Sequence, residues 1–165
     1  MPPPVVLTVA GSDSSAGAGL QADLKTFAAH GVYGVCAVTA LVAEVPGDVA
    51  RVEPVDPTLL SIQLKRVASA FPPSAIKTGM LAEADLVGEV AAFVKSRPGL
   101  PLVVDPVIRA GAGAALLSDA GVERLQRDLL PLARLVTPNL PEAEILLGAT
   151  IRTPADFAAA PRRLH

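Results

Sequence analysis

Glycines interleaved with serine and aspartate side chains form the first segment of this chain that could do chemistry, at residues 11–23. Glycines let a ligand approach the backbone, and the N-terminus of a following helix favours negative or polar groups. The segment lacks the G-x-G-x-x-G spacing of dinucleotide sites, which disfavours a nicotinamide-dependent oxidoreductase. It also lacks the Lys-Ser/Thr pair of a phosphate-binding P-loop. These residues fit either a ligand site or a tight strand-to-helix turn that binds nothing.

Two further segments place a glycine beside the end of an apolar run. Gly79 could give access to the backbone and Met80 could pack on a flat ring, although a turn with a core methionine is the simpler explanation. Asp105 ends another apolar run and precedes the glycine-rich stretch 109–113. A carboxylate in that position suits Mg²⁺ held near phosphates. Capping of a helix or a turn would explain Asp105 equally well.

A fourth segment, residues 137–144, places the Asn139 amide and the Glu142 carboxylate one helical turn apart at a helix start. Capping alone would explain both residues, because polar and acidic side chains favour that end of a helix. The single cysteine, Cys36, excludes an internal disulfide and any multi-cysteine metal site. Its apolar neighbours predict inert packing.

Composition narrows the class of protein. Half of the chain is apolar but only 3% is aromatic, so the core must be built from Ala, Val and Leu. The formal net charge of -2 gives no basic footprint for nucleic acid. No apolar run is long enough to span a bilayer, and the start lacks the organisation of a signal peptide. We therefore expect a cytoplasmic protein that binds neither nucleic acid nor membrane.

Short apolar strands alternate with helical patterns along the whole chain. This order predicts a three-layer α/β fold with a mostly parallel sheet covered on both faces. Residues 42–55 contain two prolines and a glycine and are predicted to be mostly loop. The predicted strands cover residues 5–10, 35–41, 75–78, 102–105 and 135–137. The predicted helices begin near residues 20, 57, 86, 118, 141 and 154.

The last predicted helix reaches His165 without a stop signal, and it contains Pro161. A proline inside a helix costs about 3 kcal/mol. We therefore expect residues 1–165 to form one incomplete domain that is interrupted at its C-terminal side.

The order of the segments is more specific than any one of them. Together they resemble the hydroxymethylpyrimidine/phosphomethylpyrimidine kinase family of thiamine biosynthesis, which has a ribokinase-like fold. The resemblance rests on Gly-Ser-Asp-x-Ser-x-Gly-Ala-Gly-x-Gln-Ala-Asp-Leu-Lys-Thr at residues 11–26, Thr-Ala-Leu-Val-Ala at 39–43, Lys-Thr-Gly-Met-Leu at 77–81, Val-Asp-Pro-Val at 104–107 and Thr-Pro-Asn-x-x-Glu-Ala at 137–143. It implies ATP- and Mg²⁺-dependent phosphorylation of 4-amino-5-hydroxymethyl-2-methylpyrimidine and then of its monophosphate.

The resemblance also implies the substrate-binding residues. The side chain that contacts the edge of the pyrimidine falls on Glu44, where the family usually has glutamine. Glutamine can both donate and accept a hydrogen bond, whereas an ionised glutamate only accepts. Glu44 would fit if either the ring nitrogen or the carboxyl carried a proton. The rest of the pyrimidine pocket falls on Gly11, Ala18, Asp23, Met80 and Val107.

On the nucleotide side, the resemblance implies that Asn139 and Glu142 lie near the phosphates and that Asp105 contacts the metal. The family's catalytic base and anion hole are expected beyond residue 165, so this chain alone is expected to be inactive. Two alternatives stay open: a non-catalytic pyrimidine-binding remnant, and a pyridoxal-kinase-like enzyme. A homodimer is also open, because the family has dimeric members.

Overall fold

The computed structural model describes residues 2–110 and 113–164. Gly111 and Ala112, in the middle of the predicted glycine-rich stretch, lie outside the described residues, as do Met1 and His165.

Within the described residues, six strands, numbered along the chain, form one sheet in the order β3-β2-β1-β4-β5-β6. All neighbouring pairs are parallel except β2 and β3, which are antiparallel. The mostly parallel sheet predicted from the alternation of strands and helices is therefore confirmed. The strands are β1 (Val5–Asp13), β2 (Tyr33–Val45), β3 (Asp48–Pro54), β4 (Ala75–Thr78), β5 (Leu102–Val104) and β6 (Leu135–Val136).

Over the part of the chain that is described, six α-helices connect or follow the strands: α1 (Gly19–Ala29), α2 (Pro57–Ala70), α3 (Ala84–Lys95), α4 (Asp119–Arg124), α5 (Leu140–Leu147) and α6 (Pro154–Leu164). The crossover from β1 to β2 and the crossover from β4 to β5 run in opposite directions along the sheet, and right-handed connections therefore place α1 on one face and α3 on the other, with α2 beside α3. Accordingly α1 packs on β1 and β2, while α2 packs on β2 and on α3.

Local capping signals start three of these helices where the sequence predicts. The Asp56 carboxylate accepts hydrogen bonds from the first turn of α2, and the Ser118 hydroxyl accepts one from the first turn of α4. Thr153 and Asp156 bond each other reciprocally at the start of α6. Each side chain satisfies backbone N–H groups that have no partner inside the helix.

Residues 42–55 are not mostly loop, and that prediction is wrong. β2 runs on to Val45, and β3 returns beside it as an antiparallel hairpin. Pro46 and Gly47 form the two-residue turn, and Gly47 has a φ of +86° that favours glycine. Pro54 is tolerated because β3 is an edge strand, where the missing N–H removes no ladder bond.

The helix predicted to begin near residue 118 stays helical over residues 119–132 but changes its hydrogen-bond pattern. α4 passes into a π-helical turn at Leu125–Leu129 and then a 3₁₀ turn at Leu130–Leu132. Pro131 explains the change, because it has no N–H and its ring crowds the carbonyl four residues earlier. Within the described ranges, no helix is both long and apolar enough to cross a bilayer.

Candidate active site

The predicted site segments meet at one edge of the sheet. The parallel strands β1, β4, β5 and β6 all end there, and the ladder continues one residue further through Gly79, Asp105 and Thr137. The chain leaves β1 for β2 on one side and returns to β4 on the other, so a crevice opens between the ends of β1 and β4. Open α/β sheets bind ligands at such a point.

Gly11 and Met80 contact each other across this crevice. A Cβ atom on Gly11 would lie 2.6 Å from the Met80 methyl carbon, so a larger residue would require the end of the Met80 side chain to move. The hydroxyl of buried Thr39 donates to the Met80 carbonyl and fixes the turn after β4. The two residues predicted from separate segments therefore form one wall.

The buried Asp13 carboxylate organises the loop between β1 and α1. It accepts hydrogen bonds from the backbone N–H groups of Ser15, Gly17 and Ala18 at 2.6–2.9 Å, and from the Ser15 hydroxyl at 3.0 Å. Burial alone would raise the pKa of Asp13, but these hydrogen bonds hold the pKa below its ordinary value. Sequence reasoning did not give Asp13 a role, although its place in the glycine-rich segment was a signal.

Ser14 connects this loop to the β2–β3 hairpin. Its hydroxyl donates to the carbonyl of Glu44 at 2.9 Å and accepts from the N–H of the same residue at 3.1 Å. The loop and the hairpin are thus held as opposite sides of one cleft.

The cleft has a volume of about 290 Å³ and contains two of the predicted substrate-binding residues, Ala18 and Glu44. Burial raises the pKa of Glu44, and the negative charge of Asp13 raises it further. A smaller cavity of about 180 Å³ near Arg109 contains none of the predicted site residues. The larger cleft is lined by Asp13, Ser15, Gly17, Ala18, Glu44, Val45, Pro46, Gly47, Asp48, Val49 and Ala110.

Charged side chains form a row across the crevice. The Lys77 ammonium lies 3.0 Å from the Asp23 carboxylate and 3.7 Å from that of Asp105. The hydroxyl of fully buried Thr8 also donates to Asp23, at 2.6 Å. Burial raises the pKa of Asp105, Lys77 counteracts the rise, and the charges of Glu142 and Asp23 reinforce it.

Lys77 is a site residue that the sequence-based prediction did not include. It is one of only four residues in β4, and its neighbours Ile76 and Thr78 are fully or almost fully buried. A lysine inside so short and buried a strand is unusual, because parallel strands are normally apolar throughout. That exception was the available signal.

Asn139 and Glu142 form a reciprocal capping box at the start of α5, as the simpler explanation anticipated. Buried Glu142 does more than cap. One of its oxygens accepts from the N–H of Asn139 at 3.0 Å, and the other accepts from the N–H of Ile108 at 3.2 Å. It thereby holds the segment after β5, where Val107 has the uncommon φ of +40°.

The predicted residues thus fall into neighbouring groups. Gly11 contacts Met80, Ala18 faces Glu44 across the cleft, and Lys77 joins Asp23 to Asp105. Glu142 fixes the Val107 turn, while Asn139 remains exposed. Over the part of the chain that is described, no group of three His, Cys, Asp or Glu side chains could hold a metal ion by itself.

The sheet, the crevice and the cleft define the ribokinase-like fold class. A crystal structure of a phosphomethylpyrimidine kinase from Clostridium difficile superposes with a TM-score of 0.90 at 39% identity, covering 98% of this chain and 70% of that one. A pyridoxal kinase from Staphylococcus aureus, in complex with AMP-PCP and pyridoxal, gives 0.85 at 36% identity, covering 98% of this chain and 58% of that one.

The sequence relationship identifies the family. The phosphomethylpyrimidine kinase profile matches residues 13–165, so the chain belongs to the phosphomethylpyrimidine kinase family. The hydroxymethylpyrimidine/phosphomethylpyrimidine kinase of Synechococcus elongatus is 45% identical over 159 residues, which cover 96% of this chain. The match spans 60% of that relative's length.

Proposed function

We propose that this chain carries the pyrimidine-binding part of a kinase that phosphorylates 4-amino-5-hydroxymethyl-2-methylpyrimidine and its monophosphate in thiamine diphosphate biosynthesis. The observation that carries the proposal is the position of the cleft, which lies inside the segment matched by the family. Glu44 contacts the edge of the ring, and the other pocket residues shape its walls. These are Gly11, Ala18, Asp23, Met80 and Val107.

The residues at the ends of β5 and β6 suit a magnesium nucleotide. Mg²⁺ commonly binds one or two carboxylates and completes its shell with waters and phosphates. Asp105 supplies one carboxylate at a strand end, and no all-protein cage is needed. Exposed Asn139 uses only its oxygen in the capping box, so its amide group can donate to a phosphate. When bound, Mg-ATP supplies the transferred phosphoryl group.

Titration calorimetry of the 165-residue chain tests the choice of ligand. We expect weak binding of the hydroxymethylpyrimidine and weaker binding of pyridoxal, because Glu44 can pair with an amino-substituted ring edge. Binding of pyridoxal without binding of the pyrimidine would favour the pyridoxal-kinase alternative, for which the similarity to the Staphylococcus aureus enzyme is the specific support.

Substitution in the cleft locates the binding. Ala18→Leu places a larger side chain in the cleft and should weaken pyrimidine binding at least about tenfold, a loss of about 1.4 kcal/mol. Ala92→Leu makes the same change on the exposed surface of α3 and serves as the control. Equal affinity in both variants would mean that the pyrimidine binds elsewhere.

The single domain, the cytoplasmic location and the homodimer remain predictions. Sedimentation of the purified chain would decide the last of these.

A further inference from the structure

The cleft next to Glu44 is lined by acidic groups on three neighbouring strands. Asp13 lies at the end of β1, Glu44 near the end of β2, and Asp48 at the start of β3. Among the described residues, those that line the cleft include no lysine, arginine or histidine. A ligand in this cleft therefore meets hydrogen-bond acceptors and negative charge.

Basic residues on the segments that border the cleft are engaged elsewhere. The Lys25 ammonium, on α1, donates to the carbonyl of Ala16 at 2.9 Å on the exposed side of the loop. Arg51, on β3, pairs with Glu53 at 2.6 Å. Arg109 precedes Ala110 at the cleft, and its guanidinium points to the Gly113 carbonyl, 3.4 Å away. These cations are committed to partners outside the cleft.

Glu44 itself is held in place by its backbone. Ser14 hydrogen-bonds to both the N–H and the carbonyl of Glu44, so the backbone position from which the Glu44 side chain extends is fixed in the cleft wall. An ionised carboxylate can accept two hydrogen bonds side by side but can donate none. The edge of a neutral 4-aminopyrimidine offers one donor, the exocyclic amine, and one acceptor, the ring nitrogen. One extra proton is needed for both contacts.

We propose that Glu44 makes this cleft selective for the singly protonated pair of carboxyl and aminopyrimidine, so that binding at neutral to basic pH takes up one proton from solvent. The proton lies between the ring nitrogen and one Glu44 oxygen, and the exocyclic amine donates to the other oxygen. Such paired, charge-assisted bonds are stronger than neutral ones and fix orientation. This inference rests on the proposed function and specifies the protonation state of its substrate.

The surroundings of Glu44 favour this state. Partial burial and the charge of Asp13 both raise the pKa of Glu44, so a proton is held there more easily than on an exposed glutamate. A ring that arrives protonated is stabilised by the same negative charges. In strong acid both groups carry a proton and the pair is lost, so affinity should pass through a maximum as pH changes.

Calorimetry in buffers of different ionisation enthalpy tests the proposal. Above the pKa of the free pyrimidine and that of Glu44 in the free chain, we expect the parent chain to take up about one proton per bound ligand, and its affinity to fall about tenfold per pH unit. Glu44→Gln should bind without proton uptake, hold its affinity over the same range and exceed the parent there. Glu53→Gln makes the same change on the hairpin outside the cleft and should behave as the parent.

The outcomes separate the two proposals. Binding by both the parent and Glu44→Gln with no proton uptake and identical pH profiles would overturn the inference and leave the proposed function standing. If neither chain bound the pyrimidine, the proposed function would fall and the inference with it. Proton uptake is measured on the parent itself, so the test stands even if Glu44→Gln does not fold.

Discussion

At the scale of single residues, Lys77 and Asp13 hold the site together. Neither residue is singled out by capping or turn rules. Lys77 neutralises carboxylates from α1 and from the end of β5, and Asp13 gathers the N–H groups of the loop before α1. Both are partly or fully shielded from water, where an unpaired polar group is costly. Their removal should therefore be visible in stability as well as in binding.

Lys77→Met retains the length of the side chain and removes its charge. We expect the free energy of unfolding at neutral pH to fall by about 1–3 kcal/mol, because Asp23 and Asp105 are left without their cation. The pKa of Asp105 is already raised in the folded chain. Between the unfolded and the folded pKa of Asp105, the folded state therefore binds more protons than the unfolded state. The free energy of unfolding falls as pH rises through this range.

Without Lys77 the folded pKa of Asp105 should rise further, which extends this pH range upward. The loss in free energy of unfolding caused by Lys77→Met should therefore shrink as pH falls through the folded pKa of Asp105. Denaturant unfolding at neutral and mildly acidic pH measures it. Lys65→Met, on the exposed surface of α2, is the control. A deficit that did not depend on pH would contradict the ion-pair explanation.

Asp13→Asn replaces a carboxylate that accepts four hydrogen bonds with an amide. The NH₂ group of the amide would face groups that are themselves hydrogen-bond donors. We expect a loss of about 1–3 kcal/mol in stability at neutral pH, together with weaker pyrimidine binding. Because the pKa of Asp13 is lowered on folding, its contribution is present above the unfolded pKa and disappears as pH falls through the folded pKa.

Thermal unfolding of Asp13→Asn against pH, with Asp48→Asn as the comparison, tests this role. Asp48 is an exposed acid in the same cleft. If both variants unfolded at the same temperature as the parent, Asp13 would have no organising role.

At the scale of elements, the β2–β3 hairpin is the part that completes the cleft. It contributes Glu44, Val45, Pro46, Gly47, Asp48 and Val49 to the lining, and its turn depends on a positive φ. The hairpin sits at the edge of the sheet and is bonded on one side only, so its geometry depends strongly on the turn.

Gly47→Ala and Gly99→Ala form a matched pair. The two glycines have φ values of +86° and +85°, and a Cβ on either would contact nothing within 4 Å. Each substitution should therefore cost about 1 kcal/mol from backbone strain alone. Only Gly47→Ala should also weaken pyrimidine binding, as calorimetry on both variants would show. Equal pyrimidine affinity in the two variants would mean that the hairpin turn is not part of the binding site.

At the scale of the whole molecule, binding and chemistry should separate. The cleft lies within residues 11–110, whereas the resemblance places the base and the anion hole after residue 165. Fixed donors around a transferred group are worth roughly 3–4 kcal/mol each in comparable sites. We therefore expect the 165-residue chain to bind the pyrimidine and to transfer no detectable phosphate from Mg-ATP.

A phosphate-transfer assay with a full-length relative as positive control decides this prediction. Turnover by the 165-residue chain comparable to that of the relative would show that a residue within it serves as the base. In that case Asp105 would be the first candidate, because it lies at a strand end in the crevice and burial raises its pKa above the ordinary value.

The sequence by itself determined the alternation of strands and helices, the helix starts at Asp56, Ser118 and Thr153, and the strand-end position of every site segment. These features depend on interactions over a few residues, which periodicity and capping side chains express directly. The resemblance to the kinase family added the pocket residues in the same way, as ordered local motifs.

Only the tertiary structure decided which of those residues touch. Lys77 meets Asp23 across 54 residues of sequence, because β4 lies beside β1 in the sheet. The edge strand β3 escaped prediction because its Pro54 and the preceding turn residues Pro46 and Gly47 resemble a loop until the antiparallel partner is known. The charge of Asp13 raises the pKa of Glu44 because the register of β1 and β2 brings the two strand ends together. Pairing between distant segments follows from the strand order, and no local pattern encodes that order.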